Sequence, residues 1–344
     1  VIIVVHQDAL REQIESLSSQ LEKLGAIVRT VFGPDRTMLN VRGISGPEML
    51  EIADHLRSYE IVEDILYNPK PYTLVSKDSK PSCTIINVGG VEVGSEFMIM
   101  AGPCTVESES QLMKTAEVVA KSGAKFLRGG AYKPSTSPYS FHGLGQLGLE
   151  LLREAGKRYH LKVITEVMDV RKVDLVGQYC DVLQIGTRNM QNYDLLREVG
   201  RSKMPVVLKR GMCARYEEWL LAAEYIASKG NDQIILCERG IRSFETYTRN
   251  TLDLAAVPVM RALSHLPIII DPSQGTGRRE LVASMSKAAL ACGADGVLIE
   301  VHPEPEYALK DGQQSITLEQ FEVLAKELTV LSNIFRKEEF LHAR

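Results

Sequence analysis

Short apolar runs alternate with amphipathic stretches along nearly the whole chain, and the alternation changes rhythm once. In residues 1–66 the patterns run strand, helix, strand, strand, helix, strand. Val1–Val5 is short and β-branched. Ile14, Leu17, Leu21 and Leu24 recur at spacings of three and four, which makes one helical face, and Gly25 stops that helix. Ala26–Phe32 and Met38–Val41 read as strands on either side of the Pro34-Asp35 turn. Pro47–Leu56 reads as a second helix with Ser45 as its N-cap, and Glu60–Leu66 as a fourth strand. The order is that of a ferredoxin-like βαββαβ domain. Its fold leaves two roles open, binding of a small effector and plain structural or oligomerising support.

Residues 67–83 carry Pro69, Pro71 and Pro81 among polar residues and read as a linker. Thr84–Val88 and Val91–Val93, joined by Gly89-Gly90, form a hairpin suited to closing the bottom of a barrel. Further apolar runs begin near Phe97, Lys125, Lys162, Asp181, Pro205, Ile234, Pro267 and Asp295. Helical patterns lie between them, among them Leu112–Ser122, Leu147–Arg158, Tyr216–Ser228 and Leu281–Cys292. Eight β units separated by helices predict a parallel sheet, and eight favours a closed (β/α)₈ TIM barrel over residues 84–344. An open doubly wound sheet is the runner-up, but no GxGxxG follows the first strand.

Composition narrows the function classes. A net charge of −4 gives no basic footprint for nucleic acid and disfavours a polybasic membrane contact. No apolar run approaches the roughly 20 residues of a spanning helix. The N-terminal segment lacks a basic n-region and a small-residue cleavage site, so no signal peptide is expected. Six scattered cysteines without a CxxC pair indicate neither a disulfide framework nor a zinc knuckle, and fit a reducing cytoplasm.

In a barrel of this kind the chemistry sits where the strands end. Those positions read Gly102-Pro103-Cys104, Arg128 with Lys133 beyond, Glu166, Gly186-Thr187-Arg188-Asn189, Lys209-Arg210-Gly211, Glu238-Arg239-Gly240, Asp271-Pro272-Ser273-Gln274 and Glu300-Val301-His302. A single charge at the end of a buried strand is an ordinary structural ion pair. Charges on nearly every strand point to a functional rim. Arg128, Lys133, Arg188, Lys209 and Arg239 form a cationic group fit for a dense anion such as a phosphorylated carboxylate. Cys104, Glu300 and Asp311 are candidate ligands for a divalent transition ion. Taken alone, Cys104 would be a buried inert thiol and Asp311-Gly312 a turn. His302 is either a further ligand or the partner that orients Glu300.

The segments AGPCTVES (101–108), LRGGAYKP (127–134), QIGTRNMQN (184–192), LKRG (208–211), CERGIR (237–242), DPS (271–273) and EVHPEPEYALKDGQQS (300–315) carry a resemblance that runs essentially end to end. The chain resembles the 3-deoxy-D-arabino-heptulosonate-7-phosphate (DAHP) synthases of the type I beta subgroup, which have an N-terminal ferredoxin-like regulatory domain. The resemblance implies condensation of phosphoenolpyruvate with erythrose 4-phosphate, the first step of the shikimate pathway. It implies phosphoenolpyruvate contacts at Arg128, Lys133, Arg188, Lys209 and Arg239. It places the aldose phosphate at Thr136 and Ser137; the chain itself offers Arg278 or Arg279, after the seventh strand, as a compensating cation. It implies a divalent ion (Mn, Fe, Co or Zn) held by Cys104, Gln274, Glu300 and Asp311, and Lys133 as proton donor. It further implies an aromatic amino acid effector, a homotetramer and association with chorismate mutase.

Two positions depart from the family pattern. Gln274 stands where the family has a metal-binding histidine, and an amide is a weak neutral ligand. Ser135 stands where the family has an arginine for the phosphate of erythrose 4-phosphate. Losing that charge-assisted contact would weaken the substrate roughly 10- to 100-fold unless another cation compensates. The alternatives are therefore a paralogue that takes another aldehyde, or a weakly active regulatory or scaffold subunit.

Overall fold

The computed structural model describes residues 1–44, 52, 55–66, 70–134 and 137–342, with side chains as far as 335. It divides into two compact units. The first comprises Val1–Ser82 with Leu263–His265, and the second Cys83–Ala262 with Leu266–Arg344.

In the first unit, strands β1 (Ile2–Val5), β2 (Ile27–Phe32), β3 (Thr37–Arg42) and β4 (Val62–Leu66) form an antiparallel sheet in the order β2-β3-β1-β4. The helix Arg11–Lys23 buries Ile14, Leu17 and Leu21, which pack with Ile3, Val5, Leu39, Val41 and Ile65. These are the three- and four-residue spacings legible in the sequence, set against one face of period-two strands. Most of the expected helix Pro47–Leu56 lies outside the described residues. Residues 70–82 are held by turns, with Tyr72, Val75, Ser76 and Ser79 buried.

The second unit opens with the hairpin β5 (Ile86–Val88) and β6 (Val91–Val93). Eight parallel strands follow: β7 (Met98–Gly102), β8 (Phe126–Arg128), β9 (Lys162–Glu166), β10 (Val182–Ile185), β11 (Val206–Lys209), β12 (Ile234–Glu238), β13 (Ile268–Ile270) and β14 (Gly296–Glu300). Each pairs with its sequence neighbours, and β14 pairs with β7 to close the barrel, which rules out the open sheet.

The barrel interior shows how the sequence builds a site. Met98, Met100, Phe126, Ile164, Val182, Val207, Cys237, Ile269 and Leu298 fill it, and Ile86, Val88 and Val93 of the hairpin pack into the same cluster. Successive side chains on a strand point to opposite faces, so residues two further on point inward again. Two steps beyond Met100, Phe126, Ile164, Val182, Val207, Cys237, Ile269 and Leu298 stand Gly102, Arg128, Glu166, Gln184, Lys209, Arg239, Asp271 and Glu300. The last inward layer is therefore polar and charged, above an apolar plug.

Candidate active site

Glycine makes room for this layer. Gly102 has φ 153°, and a Cβ there would lie 2.0 Å from Arg128 O. The close approach of β7 to β8 continues in the Thr105–Gly130 bridge, which brings the Cys104 loop against the Lys133 loop.

Four charges in the layer form two buried ion pairs, Arg128 with Glu300 and Lys209 with Asp271. Arg128 Nη1 donates to Glu300 Oε1 at 3.0 Å and to Pro103 O at 3.1 Å. Gln314 Nε2 donates to Glu300 Oε2 at 2.7 Å. Lys209 Nζ lies 2.5 Å from Asp271 Oδ2 and 3.1 Å from Gln274 Oε1. Asp271 caps the short helix Pro272–Thr276 by accepting from Gln274 N at 2.8 Å. Outward parity sends the neighbouring charges elsewhere. Arg210 pairs with Glu238 at 3.0 Å and Asp253 at 2.7 Å, a structural network rather than part of the pocket.

Cys104, Glu300 and Asp311 offer ligand atoms all within 4.8 Å of one another. Lys133 Nζ donates to Cys104 Sγ at 2.8 Å and lies 3.6 Å from Asp311 Oδ2, while the thiol donates to Asp311 Oδ2 at 3.2 Å. Burial, with Glu300 close by, pushes the Cys104 thiol up to about 12. Burial opposes the charge on Lys133, yet Cys104, Glu300 and Asp311 outweigh it and hold the ammonium above its ordinary value. Burial likewise opposes ionisation of Glu300, but Arg128 and Lys133 hold its carboxyl well below the usual range. A thiol with two carboxylates is a donor set that fits a borderline divalent ion. Gln274 sits beside the trio but turns its amide nitrogen to Glu300 Oε1 at 3.2 Å and gives its oxygen to Lys209. Its amide oxygen accepts from Lys209 in this arrangement, and Cys104, Glu300 and Asp311 are the three groups gathered as ligand atoms.

Lys133, Ser137, Glu166, Gln184, Arg188, Lys209, Arg239, Arg249, Gln274, Lys310 and Asp311 line one cavity of about 290 Å³ with Pro134, Ser140, Gly186, Thr187 and Met212. Six of these side chains are cationic, and three lining residues, Glu166, Thr187 and Arg239, carry a buried polar atom without a hydrogen-bond partner. Arg239 is 3% exposed and its Nε has no hydrogen-bond partner; burial lowers its pKa. Glu166 Oε1 is also buried without a partner, and burial raises that carboxyl. Unsatisfied buried polar atoms that face a cavity mark a place for a polar ligand.

Several expected residues fall elsewhere. Arg128 is buried behind Glu300 rather than on the cavity wall. Arg278 donates to Tyr247 O at 2.6 Å, pairs with Glu280 and lies 3.9 Å from the Tyr247 ring centre, so it is turned away from the cavity. Arg279 pairs with Glu306. His302 neither joins the trio nor orients Glu300. Its Nδ1 accepts from Glu304 N, and its Nε2 meets Glu107, whose other oxygen accepts from Leu309 N. His302 therefore braces the loop that delivers Asp311. Ser135 and Thr136 lie outside the described residues. Glu166 stood among the strand-end charges without a role, and Gln184, Arg249, Lys310 and Gln314 are members of the site or its support that charge and motif alone did not single out.

A model of the DAHP synthetase I family matches residues 82–335. The phospho-2-dehydro-3-deoxyheptonate aldolase of Thermotoga maritima is 48% identical over 333 residues, 96% of this chain and 98% of that protein. Its crystal structure, also titled DAHP synthase, superposes with a TM-score of 0.77 at 46% identity, covering 97% of both chains. The 2-dehydro-3-deoxyphosphooctonate aldolase of Geobacter sulfurreducens is 30% identical, over 73% of this chain and 98% of that protein.

Proposed function

The chain belongs to the DAHP synthetase I family, and from that premise and the cavity's geometry we propose that it condenses phosphoenolpyruvate with erythrose 4-phosphate and water. The products are 3-deoxy-7-phosphoheptulonate and phosphate. The observation that carries this reading is the convergence of Arg188, Lys209 and the incompletely paired Arg239 on a cavity flanked by Cys104, Glu300 and Asp311.

Arg239, Arg188 and Lys209 hold the phosphate and carboxylate of phosphoenolpyruvate, and their charges offset the dianion in a site that excludes bulk water. A divalent ion held by Cys104, Glu300 and Asp311 would supply Lewis-acid polarisation of the aldehyde carbonyl. Carbon 3 of phosphoenolpyruvate forms the new bond to that carbonyl carbon. Lys133 gives a proton to the resulting alkoxide. Glu166, with an uncommitted oxygen and a raised pKa, positions the water that adds at carbon 2 and takes its proton. The carbon–oxygen bond to phosphate then breaks, the carbon 2 hydroxyl gives its proton to the departing phosphate, and the ketone remains. Arg128 acts through Glu300, which it holds ionised.

The ion proposed is Mn, Fe, Co or Zn, with three protein ligands and the remaining positions left to water and substrate. Residues 1–66 are proposed as an effector-binding regulatory domain for an aromatic amino acid, 67–83 as the linker and 84–344 as the catalytic domain. A homotetramer, contact with chorismate mutase and a cytoplasmic location complete the proposal. No helix among the described residues is long and apolar enough to cross a membrane.

Phosphate release from phosphoenolpyruvate, measured after chelation and again with Mn, Co, Zn or Mg restored, tests the reading. Turnover should require both erythrose 4-phosphate and a divalent ion. Phosphate release without the aldose would reject it.

A further inference from the structure

We propose that Lys310 binds the phosphate of the aldose phosphate, supplying the charge that Ser135 does not. The inference rests on the reaction proposed above. Lys310 lines the same cavity as Lys133, Ser137 and Arg249, on the loop that follows β14. The other cations of that side are engaged. Lys133 serves Cys104 and Asp311, and Arg249 donates to Asp311 Oδ1 at 3.4 Å and Gln314 Oε1 at 3.0 Å. Among the described residues Lys310 has no hydrogen bond or ion pair, although it is half-buried in the cavity wall.

The two substrates each carry a phosphate, and both enter the one cavity. Like charges so close repel strongly away from bulk water, so each phosphate needs its own counter-charge. Arg188, Lys209 and Arg239, from the ends of β10 to β12, make one centre. Lys310 lines the same cavity one residue before Asp311 and is therefore next to the trio at which the aldehyde carbonyl must react. An aldose chain whose carbonyl faces the trio directs its far end outward along this loop. A lysine on a flexible stem, with no protein partner, suits the capture of a terminal phosphate as a point charge.

Steady-state kinetics with Lys310→Ala, Lys310→Arg and the double variant Lys310→Ala/Ser135→Arg test the proposal. Lys310→Ala should raise KM for erythrose 4-phosphate roughly 10- to 100-fold and leave KM for phosphoenolpyruvate as it was. Lys310→Arg should restore most of the loss, and Ser135→Arg should rescue Lys310→Ala. Unphosphorylated erythrose should be used equally by the native chain and Lys310→Ala. An unchanged KM for erythrose 4-phosphate, or an equal loss for erythrose, overturns the assignment. If the native chain itself shows no turnover of erythrose 4-phosphate, the proposed reaction fails instead, and the two failures are distinct.

Discussion

Arg239 should be worth more to the bound state than to the fold, and Arg239→Met separates the two. The guanidinium is 3% exposed, its Nε has no partner, and its Nη1 makes only a long 3.3 Å contact to Gly240 O. Removing an orphaned buried donor returns about 1–3 kcal/mol, and losing a contact that long costs about 1 kcal/mol. Without ligand, the variant should therefore match the native chain or exceed it by up to about 2 kcal/mol. Methionine fills similar volume, so no large cavity opposes the gain. Binding should move the other way. One lost charge-assisted bond to phosphate is about 1.5–3 kcal/mol, or roughly a 10- to 100-fold weaker Kd for phosphoenolpyruvate. Urea unfolding of the barrel unit, with and without phosphoenolpyruvate, reads both quantities. At 100 times its Kd the ligand should add about 2.7 kcal/mol to the native chain and far less to Arg239→Met at the same concentration. A variant that is markedly less stable without ligand, or one that gains the full ligand stabilisation, refutes the reasoning.

Three further outcomes follow from the same geometry. Glu166→Gln should lose activity yet melt higher than the native chain at pH 8. The folded carboxyl has a raised pKa, so its ionisation costs stability that is absent below the ordinary value of 4.5 and grows as pH rises through the folded value. The two melting curves should converge near pH 4.5, and a native advantage at pH 8 contradicts the assignment. Because the Cys104 thiol is pushed up to about 12, uptake of a divalent ion at pH 7 should release about one proton. Calorimetry in buffers of different ionisation enthalpy checks this, and Cys104→Ser should abolish the buffer dependence. Gly102→Ala would drive a methyl to 2.0 Å from Arg128 O, so it should cost about 1–3 kcal/mol or more and disable the site by moving Arg128; native-like melting and turnover would show that β7 and β8 can part freely.

The barrel was legible because each apolar run had the length of a strand and a helical face followed it. Strand-end charges were legible as a group, but their roles depend on parity. Counting by twos from the interior run Val207-Leu208-Lys209-Arg210 puts Lys209 in the cavity and Arg210 outside it. The same count separates Arg239 from Glu238. Glu166 could have been promoted by that count, since it follows the inward Ile164. Lys310 and Gln314 flank Asp311 in sequence but on irregular chain with no period to read, and only the folded chain brings Arg249 beside them. His302 misled because a two-residue step from Glu300 would keep the same face in a strand, but β14 ends at Glu300 and the ring turns to Glu107 and Glu304 instead. Arg278 was chosen for charge, but Tyr247 and Glu280 claim it. The donor type at 274 was legible, whereas the direction of its amide depends on Lys209 and Glu300, which lie far away in sequence.

The central claim is that the cavity joins carbon 3 of phosphoenolpyruvate to an aldose phosphate. Carbon-13 NMR of phosphoenolpyruvate labelled at carbon 3, incubated with erythrose 4-phosphate, a divalent ion and the full chain, tests it directly. The account predicts that the vinyl signal is replaced by a methylene signal within a seven-carbon sugar phosphate. Appearance of a pyruvate methyl signal, or persistence of the vinyl signal under every ion tried, would contradict it.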